Sequence, residues 1–168
     1  MQYHKTLLQI LSKTEPLFRA ISEAEFSFKE TPERWSKKEL LGHLIDSAYN
    51  NHQRFLRAEE QGNLIFRGYT QDAWVQKNHY QNRDQAELVQ LWLLCNRHLA
   101  ALIAGLSEDL LRRKTSEHNF HKICSNRIPE GSTSSLSYLI WDYLSHLEHH
   151  LKQLFPSYQS ISGEYHDA

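Results

Sequence analysis

Four long segments of the chain repeat apolar residues at the three- and four-residue spacing of an amphipathic helix. Only six glycines and four prolines interrupt 168 residues, so long helices are permitted. No segment alternates apolar and polar residues clearly enough to predict a strand, although residues 120–128 could hold a short strand pair. We therefore predict an all-α fold, a four-helix bundle. The predicted helices cover residues 3–24, 36–60, 84–105 and 134–154.

Residues with strong positional preferences mark the ends of these helices. Ser36 and Glu39 form a capping box, S-K-K-E, in which each side chain satisfies a backbone amide of the first turn. Asp84 is a natural N-cap for the third helix, and Pro156 ends the fourth. Pro16 lies inside the first helix, and we expect it to kink or divide that helix.

The connections divide the chain into one domain and a tail. Residues 61–83 and 112–133 are long for loops of a bundle. Nothing in the composition marks an internal boundary, which predicts a single helical domain over residues 1–156. The polar residues 157–168 are expected to form a frayed C-terminal tail.

Charge and composition exclude several classes of partner. The formal net charge is −1 with neutral histidines, which argues against a nucleic-acid groove or a polybasic membrane anchor. No stretch resembles a signal peptide or approaches the roughly 18 apolar residues of a membrane span, so we expect a cytoplasmic protein. Cys95 lies in an apolar helical run, so we predict that it is a small residue of the core. Cys124 lies in a polar segment, where a reactive thiol is an alternative.

Histidine is the unusual component, with eleven copies in the chain. His146 and His150 are four residues apart on the fourth helix, so their side chains lie on the same face and can reach one ion. That face borders the apolar stripe and points into the bundle. His149 projects away from it. The run H-L-E-H-H differs from the protease motif H-E-x-x-H, because its glutamate is the third residue.

A third candidate ligand, His43, follows the capping box of the second helix. Three neutral imidazoles with a free coordination position form a known catalytic metal pattern. The alternative is a set of partly buried histidines that are bonded to neighbouring side chains. An inward pair without a metal would carry a desolvation cost of about 1–3 kcal/mol per group, which favours the metal.

Four stretches of the sequence resemble the DinB superfamily. Residues 35–46, WSKKELLGHLID, resemble its W-S-x-x-E-x-x-x-H-L-x-D signature, and residues 146–153, HLEHHLKQ, resemble its H-x-x-H-H-x-x-Q signature. Residues 69–80 and the L-W-x-x-x-N pattern at 91–96 are also similar. The resemblance implies a crossover four-helix bundle, often a homodimer. It also implies one divalent metal ion bound by His43, His146 and His150.

The resemblance leaves three functions open. Some family members are thiol S-transferases that use bacillithiol or isomerases that use mycothiol, and others are named metal-dependent hydrolases. The leading hypothesis is a metal-dependent enzyme that transfers a low-molecular-weight thiol to a small-molecule substrate, with zinc or nickel as the ion. The second is a hydrolase with water as the nucleophile. The third is a non-catalytic, stress-related metal-binding protein.

Residues around the ligands receive supporting roles in these hypotheses. Asp46 and Gln153 are candidates to hydrogen-bond the ligand imidazoles and fix their tautomers. Aromatic residues of the first long connection could line a substrate pocket; the alternative, which is commoner for aromatic loop residues, is that they only pack against the bundle. A closed site with four protein ligands would favour the non-catalytic hypothesis, and four further histidines are spare donors without matching spacing. The aromatic residues are Tyr69, Trp74 and Tyr80; the spare donors are His4, His79, His118 and His121.

Overall fold

The structure is a computed structural model that describes residues 2–166. This part of the chain is helical, with a short 3-10 turn at Tyr80–Asn82 and no named strand. The all-α prediction is confirmed. The eight α-helices are, in chain order, α1 (Tyr3–Ala20), α2 (Glu23–Ser27), α3 (Lys37–Glu60), α4 (Gln71–Lys77), α5 (Gln85–Gly105), α6 (Glu108–Arg112), α7 (Phe120–Ile123) and α8 (Leu136–Leu154).

Four long helices, α1, α3, α5 and α8, form the bundle. Helices α1 and α3 each pack against both α5 and α8. Their cyclic order is therefore α1, α5, α3, α8, and the chain crosses the bundle diagonally from α1 to α3 and from α5 to α8. The core between them includes the tightly packed aromatic rings of Phe18, Trp92 and Phe155. This core places α3 next to α8, the two helices that carry the candidate ligands.

The helix ends follow the capping residues of the sequence. Ser36 and Glu39 form the predicted reciprocal capping box, and the Asp84 side chain accepts a hydrogen bond from the Glu87 amide. Pro16 was expected to kink or divide the first helix; α1 is not divided there and ends four residues later. A proline in a helix removes one backbone hydrogen bond, and the buried apolar face of α1 compensates for this loss.

The two long connections carry short helices. Residues 61–83 contain α4 and the 3-10 turn, and residues 112–133 contain α7. Residues 120–123 are helical, so a strand pair over 120–128 does not occur there. Isolated bridges instead join Leu64 to His118 and Thr115 to Ser134. These bridges tie the second connection to the first and to the start of α8.

Helix α5 satisfies the length and composition expected of a membrane span, although no segment was expected to do so. It packs against both α1 and α3 within the bundle. A helix with two packed faces is apolar around much of its circumference. Its composition is thus explained by its place in the bundle, and we draw no further conclusion from it.

The segment after Pro156 does not fray, contrary to expectation, in the part that the structure describes. The buried Glu148 carboxylate of α8 accepts hydrogen bonds from the Tyr158 hydroxyl at 2.6 Å, the Ile161 amide at 2.6 Å and the Ser162 amide at 2.9 Å. Tyr158 is itself buried. A polar sequence therefore packs here because one buried acid satisfies its backbone. Residues 167 and 168 of the predicted tail lie outside the described residues.

Candidate metal centre

Three imidazole rings meet between α3 and α8. The Nε2 atom of His146 lies 3.2 Å from Nε2 of His43 and 3.0 Å from Nε2 of His150. His43 is fully buried, and His146 and His150 are partly buried. No fourth histidine, cysteine or carboxylate joins this group within residues 2–166. The structure therefore brings together all three residues that the sequence singled out, on the helix faces that the spacing predicted.

The spacing of these nitrogens fits a tetrahedral ion. Zinc–nitrogen bonds of about 2.0–2.1 Å at tetrahedral angles place two ligand nitrogens about 3.3 Å apart. Hydrogen bonds alone do not satisfy the group. His150 Nδ1 faces the Gln153 carbonyl oxygen at 2.8 Å, which assigns its proton to Nδ1 and leaves a lone pair on Nε2. One proton on His146 Nε2 can serve only one of its two neighbours, so the cluster fits a cation.

Burial keeps these rings neutral, which is the state that binds metal. Loss of hydration lowers the pKa of His43 to about 4, with a smaller contribution from His150. The same desolvation, with the other histidines, lowers the pKa of His146 to about 2. The pKa of His150 is also lowered by burial. All three imidazoles can therefore present lone pairs at neutral pH without losing a proton.

Of the two residues expected to support the ligands, only Gln153 contacts one. Its carbonyl oxygen orients His150, and its amide nitrogen lies 3.1 Å from Nε2 of the exposed His149. Asp46 instead accepts hydrogen bonds from the Asn78 amide at 2.9 Å and the Tyr80 hydroxyl at 2.7 Å. The His43 Nδ1 atom is buried without a hydrogen-bond partner in the described structure. Both donors reach one carboxylate oxygen of Asp46, Oδ1, and its other oxygen, Oδ2, is buried without a hydrogen-bond partner in the described structure.

Gly42 explains how that connection reaches Asp46. The Tyr80 ring lies directly over Gly42, so a Cβ atom built there would be 2.1 Å from Tyr80 Cδ2. The absence of a side chain lets the ring approach the α3 backbone and place its hydroxyl on Asp46. The first connection is therefore fixed to α3 one residue away from the ligand His43.

Two cavities border the histidines from different sides. A surface cleft of about 1040 Å³ includes His150 and Gln153 in its lining and is walled by Phe28, Trp35 and Leu40. The Trp35 ring lies over His43, with centroids 5.2 Å apart. A second, small cavity of about 50 Å³ includes His146. We call these the outer cleft and the inner chamber.

The aromatic residues of the first connection contribute unequally. Tyr69 lines the inner chamber together with His146. Trp74 and Tyr80 line a different cavity around Asp46, which contains none of the three candidate ligands. The expectation that all three would wall one pocket is wrong, because α4 turns Trp74 outward while Tyr80 packs on Gly42.

The remaining candidate donors and thiols take no part in the cluster. None of the four spare histidines belongs to the metal-ligand group of the described residues. Cys124, expected in a polar loop, is buried, and burial raises the pKa of its thiol. Cys95 is partly buried, and its pKa is also raised by desolvation. Neither cysteine has the lowered pKa of a reactive thiol.

Arg54, which was not predicted as a site residue, also lines the inner chamber. The signal was present in α3: His43, Ser47, Asn51 and Arg54 recur at helical spacing and are all buried. Four polar residues on the inward face of a bundle helix indicate a site, because buried polar groups must be satisfied. The missed pattern thus extends the candidate site along α3.

These features define a helical bundle with a candidate three-histidine metal centre between two of its helices. The chain belongs to the DinB superfamily, whose family model matches residues 6–154. A protein of Bacillus mycoides (strain KBAB4) named "Putative metal-dependent hydrolase" is 26% identical over 149 residues, which cover 87% of this chain and 79% of that protein. A Bacillus cereus (strain ATCC 10987 / NRS 248) protein of the same description is 27% identical over 137 residues, 80% of this chain and 72% of that one.

A solved structure shares the fold. YfiT from Bacillus subtilis, described as a probable metal-dependent hydrolase with an unusual four-helix bundle topology, superposes with a TM-score of 0.73. The match covers 92% of this chain and 82% of that chain at 18% sequence identity. At this identity the likeness shows the fold, and it confirms the predicted four-helix bundle.

The buried rings predict a pH dependence for the metal-free protein. Unfolded histidine takes up a proton near its ordinary pKa of about 6.5, whereas folded His43 does so only near pH 4. Stability contributed by neutral His43 is therefore lost as pH falls from about 6.5 towards 4. The loss expected at pH 5 from His43 alone is about 2 kcal/mol.

Urea unfolding of the chelated protein at pH 7 and pH 5 measures this loss. Asp46 acts in the opposite direction, because burial raises its pKa to about 6, so a reference variant is needed. His43→Gln retains Asp46 and lacks the titrating ring. The expected result is a smaller pH dependence in His43→Gln than in the parent; equal pH dependence in the two proteins would refute the assignment.

Proposed function

We propose that the chain is a metal-dependent enzyme that acts on a small molecule at an ion held by His43, His146 and His150. The convergence of three neutral imidazoles supports this assignment. The absence of a fourth protein ligand among the described residues leaves space for a substrate, as in catalytic sites. Imidazole ligands suit several metals, and we propose zinc or nickel.

We further propose that the reaction is the transfer of a low-molecular-weight thiol to an electrophile. A bound divalent ion supplies Lewis acidity, which lowers the pKa of a thiol or water beside it. The observation that carries the proposal is the make-up of the donor group: within residues 2–166 it holds three imidazoles and no carboxylate that could take a proton from bound water. A thiol, with an ordinary pKa of about 8.5, loses its proton near neutral pH more easily than water does.

The outer cleft suits the electrophile. Phe28 is 68% exposed and forms, with Trp35 and Leu40, an apolar wall beside His150. Such a wall can bind the carbon skeleton of a substrate while His150 and Gln153 remain at its edge. Gln153 keeps His150 in the tautomer that directs the Nε2 lone pair inward.

Hydrolysis is the second candidate, because the relatives named above carry the description of metal-dependent hydrolases. A non-catalytic role has less support, since a structural zinc site usually has four protein ligands.

We also propose a homodimer located in the cytoplasm. Exposed Tyr49, Leu56 and Leu94 on α3 and α5 offer apolar surface for self-association. Two unpaired cysteines agree with a reducing compartment.

Parallel assays of the zinc- or nickel-loaded protein separate the candidates. One follows conjugation of 1-chloro-2,4-dinitrobenzene with 2-mercaptoethanol, cysteine or bacillithiol, and the other follows hydrolysis of p-nitrophenyl acetate without thiol. We expect metal- and thiol-dependent conjugation that is lost in His43→Ala and retained in Cys95→Ser/Cys124→Ser. Ester hydrolysis without thiol, also lost in His43→Ala, would replace the transferase assignment by the hydrolase. No turnover in either assay would contradict both.

A further inference from the structure

Arg54 is a buried cation without an acidic partner. Its side chain points from α3 into the inner chamber, and the residue is 8% exposed. The Nε atom has no hydrogen-bond partner in the described structure. The two terminal nitrogens make only long contacts, 3.4 Å to the Asn51 side-chain oxygen and 3.5 Å to the Arg67 carbonyl. No carboxylate of residues 2–166 lies within ion-pair distance of the guanidinium.

An unpaired buried guanidinium is unfavourable, because removing a charge from water costs several kcal/mol unless an opposite charge compensates. Burial lowers the pKa of Arg54, but an arginine remains protonated in proteins. Lysine can escape this cost by losing its proton, whereas arginine cannot. A buried, unpaired arginine is therefore suited to binding an anion that enters from outside.

The nearest acid on the chamber wall, Asp142, is already engaged. Its carboxylate accepts hydrogen bonds from the backbone amides of Ser125 at 3.1 Å and Asn126 at 2.6 Å, and from the Asn126 side chain at 3.0 Å. These bonds fix the segment that follows α7 to α8. Asp142 influences Arg54 only through space, so it does not occupy the guanidinium that a ligand would bind.

The chamber matches the size and polarity of a small anion. Its volume of about 50 Å³ exceeds the roughly 10–15 Å³ of cavity space that one water molecule needs and suits a carboxylate group. Ser47, Tyr69 and Gln71 add hydrogen-bonding side chains to its wall. The same chamber includes His146, so an anion bound there would lie beside the candidate metal centre.

We propose that Arg54 binds a carboxylate of the substrate or the thiol cosubstrate in the inner chamber and thereby positions the reacting atom beside the three histidines. Planar guanidinium and carboxylate groups pair through two parallel hydrogen bonds, which fixes orientation as well as position. The inference rests on the proposed function in taking the histidine cluster as the reacting centre. It narrows the ligands to small organic acids or to thiols that carry a carboxylate.

Formate tests the anion site without depending on any reaction. Formate or uncharged formamide is titrated into the zinc-loaded full-length protein, and the arginine Nε–H resonances are followed by NMR. We expect a saturable shift of the Arg54 resonance with formate alone. Arg54→Gln should weaken formate binding by at least about tenfold. Arg54→Lys should weaken it by less, because lysine keeps the positive charge but lacks the two parallel donors of a guanidinium.

Arg97→Gln is the matched control, because Arg97 is an exposed arginine of α5 and should leave formate binding unchanged. Circular dichroism establishes that each variant is folded; Arg54→Gln removes an uncompensated charge and should not destabilise the chain. Formate affinity that is equal in Arg54→Gln and the parent protein would place formate elsewhere and overturn the proposal. A missing formate shift in the parent protein would do the same.

A second titration identifies which reactant carries the carboxylate. Cobalt(II)-substituted protein receives mercaptoacetate or 2-mercaptoethanol, and the thiolate-to-cobalt absorption reports binding. A preference for mercaptoacetate that disappears in Arg54→Gln assigns the carboxylate to the thiol. Equal binding of the two thiols, with formate binding still dependent on Arg54, assigns it to the other substrate. If neither thiol binds, the transferase proposal fails, while the formate result still decides the anion site.

Discussion

Replacing His146 by alanine is expected to lower the affinity for zinc by more than about 100-fold. Changes to residues that merely support a ligand cost about 10–100-fold in metal affinity, and His146 is the central ring of the cluster. Its Nε2 atom is the one in contact with both His43 and His150. Without it, two imidazoles remain, and they hold an ion with half of a tetrahedral set.

His149→Ala is the control for this prediction. His149 is adjacent to His150 in sequence, but it is exposed and its Nε2 atom contacts Gln153. Calorimetric titration with zinc should give an affinity within a few-fold of the parent for this variant. Stoichiometric, tight zinc binding by His146→Ala would show that the ion is bound elsewhere. An equal loss of zinc affinity in both variants would show that His149 lies on the same face of α8 as the ligands, contrary to the structure.

Gly42→Ala is expected to destabilise the folded protein by about 3 kcal/mol or more. Inserting atoms into a packed core usually costs about 1–3 kcal/mol, and here the new Cβ would approach the Tyr80 ring to 2.1 Å. Tyr80 is 3% exposed, so its ring cannot move off Gly42 without losing buried contacts. Its displacement would also break the 2.7 Å hydrogen bond to Asp46, leaving a buried carboxylate with one partner fewer.

Urea unfolding at pH 7 measures this effect, with Gly105→Ala as the control. A Cβ atom at Gly105, at the end of α5, meets no neighbour within 4 Å, so this variant should be neutral or slightly stabilising. The double variant Gly42→Ala/Tyr80→Ala should lose less stability than the sum of the two single changes, because the clash is absent. A Gly42→Ala protein as stable as the parent would contradict the packing of Tyr80 on α3.

The sequence predicted the fold well where local signals decide the structure. The capping box at Ser36 and the N-cap at Asp84 act within one helical turn, so their effect is readable without knowing the neighbours. The same holds for His146 and His150, whose shared face follows from helical spacing. His43 was a candidate from its place after the capping box, and the family resemblance supported it. Nothing local indicates which side chain of another helix lies opposite His146 and His150.

Features that depend on distant contacts were missed or misjudged. The segment after Pro156 looked disordered because its partner, Glu148, lies on α8 with its carboxylate buried. Trp35 could not be assigned to His43, since that contact depends on the path of the chain before α3. Asp46 looked like a partner for an imidazole, yet Asn78 and Tyr80 reach it from the first connection. Packing between elements decides all of these cases.

Glu148 gives α8 a fixed angular setting about its own axis. At about 100° per residue, Glu148 lies almost opposite His146 and His150 around the helix axis. The C-terminal segment therefore binds one face of α8, and the imidazoles lie on the opposite face. Any roll of α8 would break the hydrogen bonds to Tyr158, Ile161 and Ser162. The positions of His146 and His150 around an ion therefore depend on a rotational restraint on α8. The residues that impose this restraint contact none of the ligands. A chain cut after Pro156 would keep every ligand and lose the restraint.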